Sequence, residues 1–528
     1  MTRVLPVGDR AVAVEMGDAI DPALAARVHA LDRSLLRDPL PGVIETVPTC
    51  RSLLVLHDPA RVGFAELAAR LRERAGDAPR AAPPGRRHEV PTVYGGEDGP
   101  DLPAVARACG LSEAEVVALH SSTEHTALML GFRPGFPYLG LLPEALALPR
   151  RATPRVRVPA GSVGIAARQT GIYPSASPGG WHLIGRTGLR LFDPAADPPA
   201  LVAPGDRVRF VPARERAPDT DVAPEWREPA APVVEVLEPG LLTTVQASSR
   251  SGFRRYGVPP AGPADDGAHA AANRAVGNRE DAATLECTVA GPALLFLAPA
   301  RFAVGGADLG ATLRRADLGD WPVPLGRAVR ARPGNVLSFA GRRAGARAYV
   351  ALAGGLDVPV VLGSRATDLG AGFGGLAGRA LRAGDRLGVG PAAGGESDGA
   401  WPEPVARVTV RVVMGPQDDH FDEGALRLFL GERWRVGATS DRVGCRLEGG
   451  PRLAHRGPSE IVSDGLVPGA VQVPPDGAPI VVMPDGPTTG GYPKIATAVA
   501  ADLALLAQLV PGEGEARFEA VRREDLGG

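Results

Sequence analysis

The sequence predicts a β-rich α+β protein built from several bodies, and three observations carry that reading. A chain of 528 residues exceeds what one ordinary core accommodates. Its 68 glycines and 53 prolines punctuate short apolar runs, the pattern of strands joined by tight turns. And one stretch of the first half is echoed near the C-terminus. Val158-Pro-Ala-Gly-Ser-Val-Gly-Ile precedes Pro178-Gly-Gly-Trp-His-Leu-Ile-Gly, just as Val467-Pro-Gly-Ala-Val-Gln-Val precedes Thr489-Gly-Gly-Tyr-Pro-Lys-Ile-Ala. The echo predicts two related barrels whose Gly-Gly-aromatic turns are equivalent, one presenting His182 and Arg186, the other Lys494.

Residues 1–87 form the first unit, a small α+β subdomain. Val4 to Met16 alternates around a Gly8-Asp9-Arg10 turn, and residues 22–36 carry helical spacing through Leu24, Val28, Leu31 and Leu35. Val43 to His57 reads as two strands broken at Pro48, and Phe64 to Ala75 as a helix. Gly76 to Arg87 is a Pro-rich joint, with the strand His88–Tyr94 after it as a candidate last strand of the subdomain. Residues 88–212 are the first barrel. Ser112 and Glu115 form a capping box opening a helix to about His120, and closely spaced strands with Gly/Pro turns follow. Residues 213–232, charged and Pro-rich, are a linker. Residues 233–400 are a second β-rich part with one helix, Pro263 to Val276, and residues 401–528 a third, beginning with a strand from Val408 to Met414.

Composition excludes several classes. A net charge of −2 gives no reason to expect nucleic acid or an anionic membrane as partner. No 18-residue apolar run free of charge appears, and the first residues lack a signal-peptide core. Four scattered cysteines without a Cys-x-x-Cys fit reduced thiols in a cytoplasmic protein. No metal site is expected, and Asp418-Asp419-His420 reads as a solvated turn.

Lys494 is the only lysine; all other members of the 58 basic residues are arginine. A surface site accepts arginine for lysine, whereas a site needing a compact ammonium or a movable pKa does not. That points to Lys494 as a functional residue. A strand, Pro479 to Met483, leads into Thr488-Thr489-Gly490-Gly491. Pro493 is then placed to open an Ala/Leu-rich helix of about 16 residues, making the turn an anion site at a helix N-terminus. Because Lys494 precedes Ile495, it cannot belong to a nucleotide-binding phosphate loop.

Residues 1–212 resemble the KipI-like family, also called allophanate hydrolase subunit 1-like or the 5-oxoprolinase B type. The resemblance rests on Gly131-Phe-Arg-Pro-Gly-Phe-Pro-Tyr-Leu, Gln169-Thr-Gly-Ile-Tyr-Pro and Ser177-Pro-Gly-Gly-Trp-His-Leu-Ile-Gly-Arg-Thr. Residues 233–528 resemble the KipA-like family, the 5-oxoprolinase C type, through Gly262-Pro-Ala-Asp, Met414-Gly-Pro-Gln-Asp-Asp, Ser440-Asp-Arg-Val-Gly and Thr488 to Ile495. The resemblance implies cyclophilin-like β-barrels and a likeness to the carboxyltransferase region of urea carboxylase, in a urea amidolyase-related family. It also implies ATP-dependent opening of a small-molecule lactam, 5-oxo-L-proline, to glutamate. ATP, with Mg as its counterion, would be the cofactor. The LamB/YcsF-type A component of 5-oxoprolinase would be the partner; covalent biotin is not expected. Whether the chain forms a homo-oligomer stays open. So do two other readings: a regulatory protein inhibiting a histidine kinase, and a carboxyltransferase-like component served by a separate biotin carrier.

Lactam chemistry needs donors for a carbonyl and an acid or base for the ring nitrogen. Lys494, Asp485 and His182 are the catalytic candidates. Tyr492, Gln169, Arg186, Gln472, Thr489 and Gly490 are the binding candidates. Arg250 is a further cation, and Glu286, in an apolar run, suits a buried, paired carboxylate. The chain departs from the family pattern at Ala247, where an Asp is usual, and at Pro487, where a Gln is usual.

Overall fold

The computed structural model describes residues 2–77, 85–218, 226–316, 319–392, 394–395, 399 and 401–526. The middle of the Pro-rich joint and the middle of the linker lie outside the described residues.

The N-terminal subdomain is a four-stranded antiparallel sheet in the order Arg3–Val7, Ala11–Glu15, Ser52–His57, Val43–Pro48. Its helices are Pro22–Arg37, capped by Asp21, and Phe64–Asp77. Strand alternation explains how it is used. Val12, Val14, Leu53 and Val55 face the helices, against Val28, Leu31 and Leu67. Ala11, Ala13, Leu54 and Leu56 face the other way, onto Leu466, Val467, Ala470 and Val482 of the C-terminal barrel. Every residue of Ser52–His57 is therefore buried. A sheet covered on both faces reads as a continuous apolar run, which is what Leu53 to Leu56 shows.

The first barrel closes through seven strands: Gln169–Ile172, Pro137–Gly140, Glu124–Leu130, Arg207–Pro212, Arg87–Tyr94, His182–Arg186 and Ser162–Ala166. The strand after the joint thus belongs to this barrel, paired with Arg207–Pro212 and His182–Arg186, and not to the N-terminal subdomain. The second barrel repeats that cyclic order with Ile480–Val482, Gly444–Glu448, Trp434–Val436, Glu515–Ala520, Arg407–Met414, Lys494–Ala498 and Ala470–Gln472. Both barrels close by the same parallel pair of first and last strands. Both also carry a helix just before the second strand, Glu113–Ser122 and Glu423–Gly431. A two-stranded ribbon stands on each, Arg155–Val158 with Ser177–Gly179 and Asp464–Gly465 with Thr489–Gly490. The echoed turns are therefore topologically equivalent.

A further expectation fails. Lys494 to Ala498 is a strand rather than the start of a long helix, and only the short helical turns Ala500–Asp502 and Leu503–Gln508 follow it directly. Ala496 pairs with Met414 on one side and Val471 on the other, and the whole strand is buried. An Ala/Ile/Thr run with no polar face satisfies its backbone in a barrel wall as well as in a helix, and pairing on both edges decides the outcome.

Between the barrels in sequence lies a sandwich of a six-stranded and a five-stranded sheet, beginning at Val234–Glu238 and filled by Val245, Leu285, Phe296, Phe302, Val304, Leu337 and Val350. Its helix is Asp266–Ala275, and the Asp265 side chain accepts the Ala268 N–H at 2.9 Å as N-cap. No described helix is long and apolar enough to cross a membrane.

Candidate functional site: a charged seam beside the Thr-Thr-Gly-Gly turn

Docking of the N-terminal sheet on the second barrel sets charged residues from the two bodies against each other. Lys494, the first residue of its strand, is 0% exposed, and its Nζ donates to Asp464 Oδ2 at 3.4 Å. Asp464 belongs to the ribbon strand paired with Thr489–Gly490. Its carboxylate also takes Gln417 Nε2 at 3.2 Å, its own following amide Gly465 N–H at 2.8 Å and the Ser52 hydroxyl. Arg51 lies 3.6 Å from Asp464 and 3.3 Å from Glu15. Gln417 closes the ring, its Oε1 accepting the Lys494 backbone N–H at 3.2 Å. Two cations and two carboxylates balance, which is how a protein keeps buried charge.

Burial pushes the Lys494 pKa below its ordinary value, while Asp464 pulls it back up. Burial also resists ionisation of Asp464, but Lys494 and Arg51 outweigh it and hold that carboxyl below the usual range. The resting state is an ammonium–carboxylate pair with a softened ammonium.

The turn before Lys494 reaches the first barrel. A Cβ placed on Gly131 would fall 1.9 Å from Thr489 Oγ1, so the backbone of the first barrel's Gly131-Phe132-Arg133 turn rides on Thr489, and only glycine permits it. The hydroxyls of Thr488 and Thr489 are buried without a hydrogen-bond partner among the described residues, as are Gln169 Nε2 and Ser177 Oγ in the first barrel. Buried donors and acceptors of this kind are costly unless a ligand or water serves them. On the first-barrel side stand Phe136, Tyr138, Tyr173 and Trp181 in edge-to-face contact. Tyr138 of the first barrel and Val462 of the second both pack against a buried cluster that includes Cys50 of the subdomain and Leu128, so the three bodies meet there.

The structure gathers part of the sequence-derived set. Gln472 is the cross-strand neighbour of Lys494, and its Nε2 donates to the Tyr492 carbonyl at 3.3 Å, close against Gly490. Lys494, Tyr492, Gln472, Thr489 and Gly490 thus form one group. Asp485 is not in it. Its carboxylate is held by Arg442 through two contacts of 2.8 Å, in a second buried cluster where Arg442 also meets Glu286 at 2.6 Å. Burial raises the Asp485 pKa against the pull of Arg442. Glu286 is buried and paired, accepting Tyr349 Oη at 2.9 Å. Within the first barrel His182 Nε2 bonds to the Pro149 carbonyl at 2.9 Å and Arg186 Nε donates to the Ala160 carbonyl at 2.7 Å. Arg250 is buried over the Phe373 ring at 4.8 Å, and Ala247 is a core residue of the sandwich. The catalytic candidates Lys494 and Asp485 are therefore divided between two clusters.

Sequence reasoning missed Glu15, Arg51, Ser52 and Asp464. Arg51 and Glu15 carry no local signal, since the groups they meet on the second barrel lie more than 400 residues away. Asp464 could have been found from its place just before the echoed Val467-Pro-Gly.

A doubled barrel with a small α+β body and a sandwich defines a protein of the carboxyltransferase-domain type. A family model described as "Carboxyltransferase domain, subdomain C and D" matches residues 2–202, and one described as "Carboxyltransferase domain, subdomain A and B" matches residues 256–520. The first part is 49% identical to the 5-oxoprolinase B subunit of Escherichia coli O157:H7, over 40% of this chain and 95% of that protein. The second is 38% identical to the 5-oxoprolinase C subunit of Escherichia coli strain K12, over 53% of this chain and 89% of that protein. A crystal structure of TTHA0988, 36% identical, superposes with a TM-score of 0.85 and covers 98% of this chain and 100% of that one. The chain belongs to the carboxyltransferase-domain family, as a fusion of the B and C types of 5-oxoprolinase component.

Proposed function

We propose that the chain is the joined B and C component of an ATP-dependent 5-oxoprolinase, opening 5-oxo-L-proline to glutamate with a separate LamB/YcsF-type A component. The observation that carries the reading is continuity: one chain spans nearly the whole of a B-type relative and of a C-type relative. The packing supports it, because the two parts share a charged seam, Lys494–Asp464–Arg51–Glu15.

In this reading the hydroxyls of Thr488 and Thr489 and the Gly490-Gly491 backbone receive the lactam carbonyl, and Lys494, held in place by Asp464 and Gln417, supplies positive potential behind them. Gln472 and Tyr492 shape the turn. ATP, with Mg as its counterion, supplies the driving force. A carboxyltransferase served by biotin fits less well; sealing of the sole lysine in an ion pair supports a chain that carries no biotin itself. The test is glutamate release from 5-oxoproline and ATP by the purified chain with and without the A component. Release that needs all components is expected. Release that instead depends on a biotinylated carrier, or none with every component present, overturns the reading.

A further inference from the structure

A second cavity, away from the Lys494 cluster, lies where the N-terminal subdomain, the sandwich and the second barrel meet. It measures about 460 Å3, and its walls are largely alanine, valine and proline. The polar lining is of mixed sign: Asp9 and Arg10 from the subdomain, Arg254 and Asp266 from the sandwich region. Thr497 of the second barrel adds a buried hydroxyl with no hydrogen-bond partner among the described residues. The Trp401 ring lies against Gly267, where a Cβ would come within 1.9 Å of it, and forms one wall.

We propose that this junction is a binding site for a small zwitterion of the α-amino acid class, its ammonium taken by Asp266 and its carboxylate by Arg10. Charge is the argument. A ligand of one sign would meet opposite charge on only half of the polar lining, whereas a zwitterion meets both. Arg254 is already engaged by Glu45, and Asp9 accepts the Ala500 N–H at 3.1 Å. Arg10 meets Asp9 only at 3.8 Å, a contact its guanidinium can exchange for a carboxylate. Asp266 and Arg10 are thus the pair to be matched. By contrast, the larger cavity beside Ala300 is lined by Arg301, Arg315, Arg330 and Arg332 with no carboxylate among its described lining residues, and suits no zwitterion. The groups acting on Asp266 are Asp265, Glu286, Arg10 and Arg442; the residue is exposed at the surface, yet the protein packed round its carboxyl, and then Asp265, raise its pKa to about 6. A neighbouring ammonium relieves that penalty.

The probe is L-glutamate, whose choice rests on the proposed lactam opening, titrated calorimetrically into the full chain without ATP or the A component. Saturable one-site binding is expected at pH 7.5. It should weaken at least about tenfold in Asp266→Asn and in Arg10→Met, with melting temperatures measured on both. Glutarate, which lacks the ammonium, and 5-oxo-L-proline, which lacks a basic nitrogen, should bind at least about tenfold more weakly. Absence of saturable heat up to about 10 mM, glutarate binding as tightly as glutamate, or undiminished affinity in both folded variants overturns the proposal. The titration needs no turnover, so a blank titration with active enzyme rejects this site alone, and binding without turnover rejects only the proposed reaction.

Discussion

The two barrels share strand order, crossover helix and ribbon, yet they treat the same hairpin in opposite ways. In each, the second residue after the Gly-Gly-aromatic unit donates its backbone N–H to a side chain from the segment after the barrel's first strand. In the first barrel Leu183 donates to Asp101 Oδ2 at 2.7 Å, and Arg155 and Arg151 from the same barrel neutralise Asp101 at 2.7 and 3.0 Å. In the second, Lys494 donates to Gln417, and the charges come partly from another body, through Arg51 and Glu15. One hairpin is closed by its own barrel and is structural. Its twin is completed by a neighbouring subdomain, so its charge balance depends on assembly.

Lys494→Met should show the largest effect. It leaves Asp464 buried with Arg51 as its remaining cation, and losing one partner of a buried pair costs about 3–5 kcal/mol. Burial of Lys494 thus predicts a marked fall in melting temperature alongside lost turnover, where a lysine lining an open pocket would lose turnover alone. Full stability in calorimetry would show that the seam does not hold the halves together. Asp101→Asn should cost less, about 1–3 kcal/mol, because its arginines remain partly solvated. Equilibrium denaturation measures it, and a loss as large as that of Lys494→Met would erase the contrast between the hairpins.

Acid should separate the two further. Asp101 and Asp464 both have folded pKa values below the usual range, against burial, through their cationic and backbone partners. Each therefore contributes stability that is full above the ordinary carboxyl pKa and lost as pH falls through its folded value. Protonating Asp464 loosens a contact between bodies, whereas protonating Asp101 loosens only a turn. Hydrogen exchange at falling pH should expose Ala11–Glu15 and Ser52–His57 before His182–Arg186; the reverse order would place the weak point in the first barrel. The smallest effect belongs to His182→Ala. The ring makes one hydrogen bond at the surface, so stability should change by within about 0.5 kcal/mol and turnover should persist. Loss of turnover at full stability would return the first hairpin to the chemistry.

Local pattern and the echo made the barrels legible, since Gly179-Gly180 and Gly490-Gly491 sit at equivalent turns, and Ser112 and Glu115 do form the capping box. Pattern failed where pairing partners decide. Lys494-Ile-Ala-Thr-Ala has nothing local that separates a barrel strand from a helix, and Pro493 serves either start. Lys494, Gln472 and Thr489 were found from residue type and motif. Arg51 and Glu15 were invisible because one arginine among many, or a glutamate ending a strand, acquires meaning only from what folds against it. Asp485 was misplaced for a related reason: its proximity to Lys494 in sequence hid the fact that its partner, Arg442, belongs to another cluster.

Joining the two parts in one chain changes what the seam must withstand. Where such parts are separate molecules, every encounter bears the loss of translational freedom, and dilution opens the contact. A tether makes the same contact intramolecular, with an effective concentration on the order of millimolar for short flexible connections. Glu15, Arg51, Asp464 and Lys494 can then remain only moderately attractive as a set and still be assembled at nanomolar protein. With the A component held saturating, specific activity should accordingly stay constant as this chain is diluted, and cleavage of the chain between residues 213 and 232 should make it concentration-dependent.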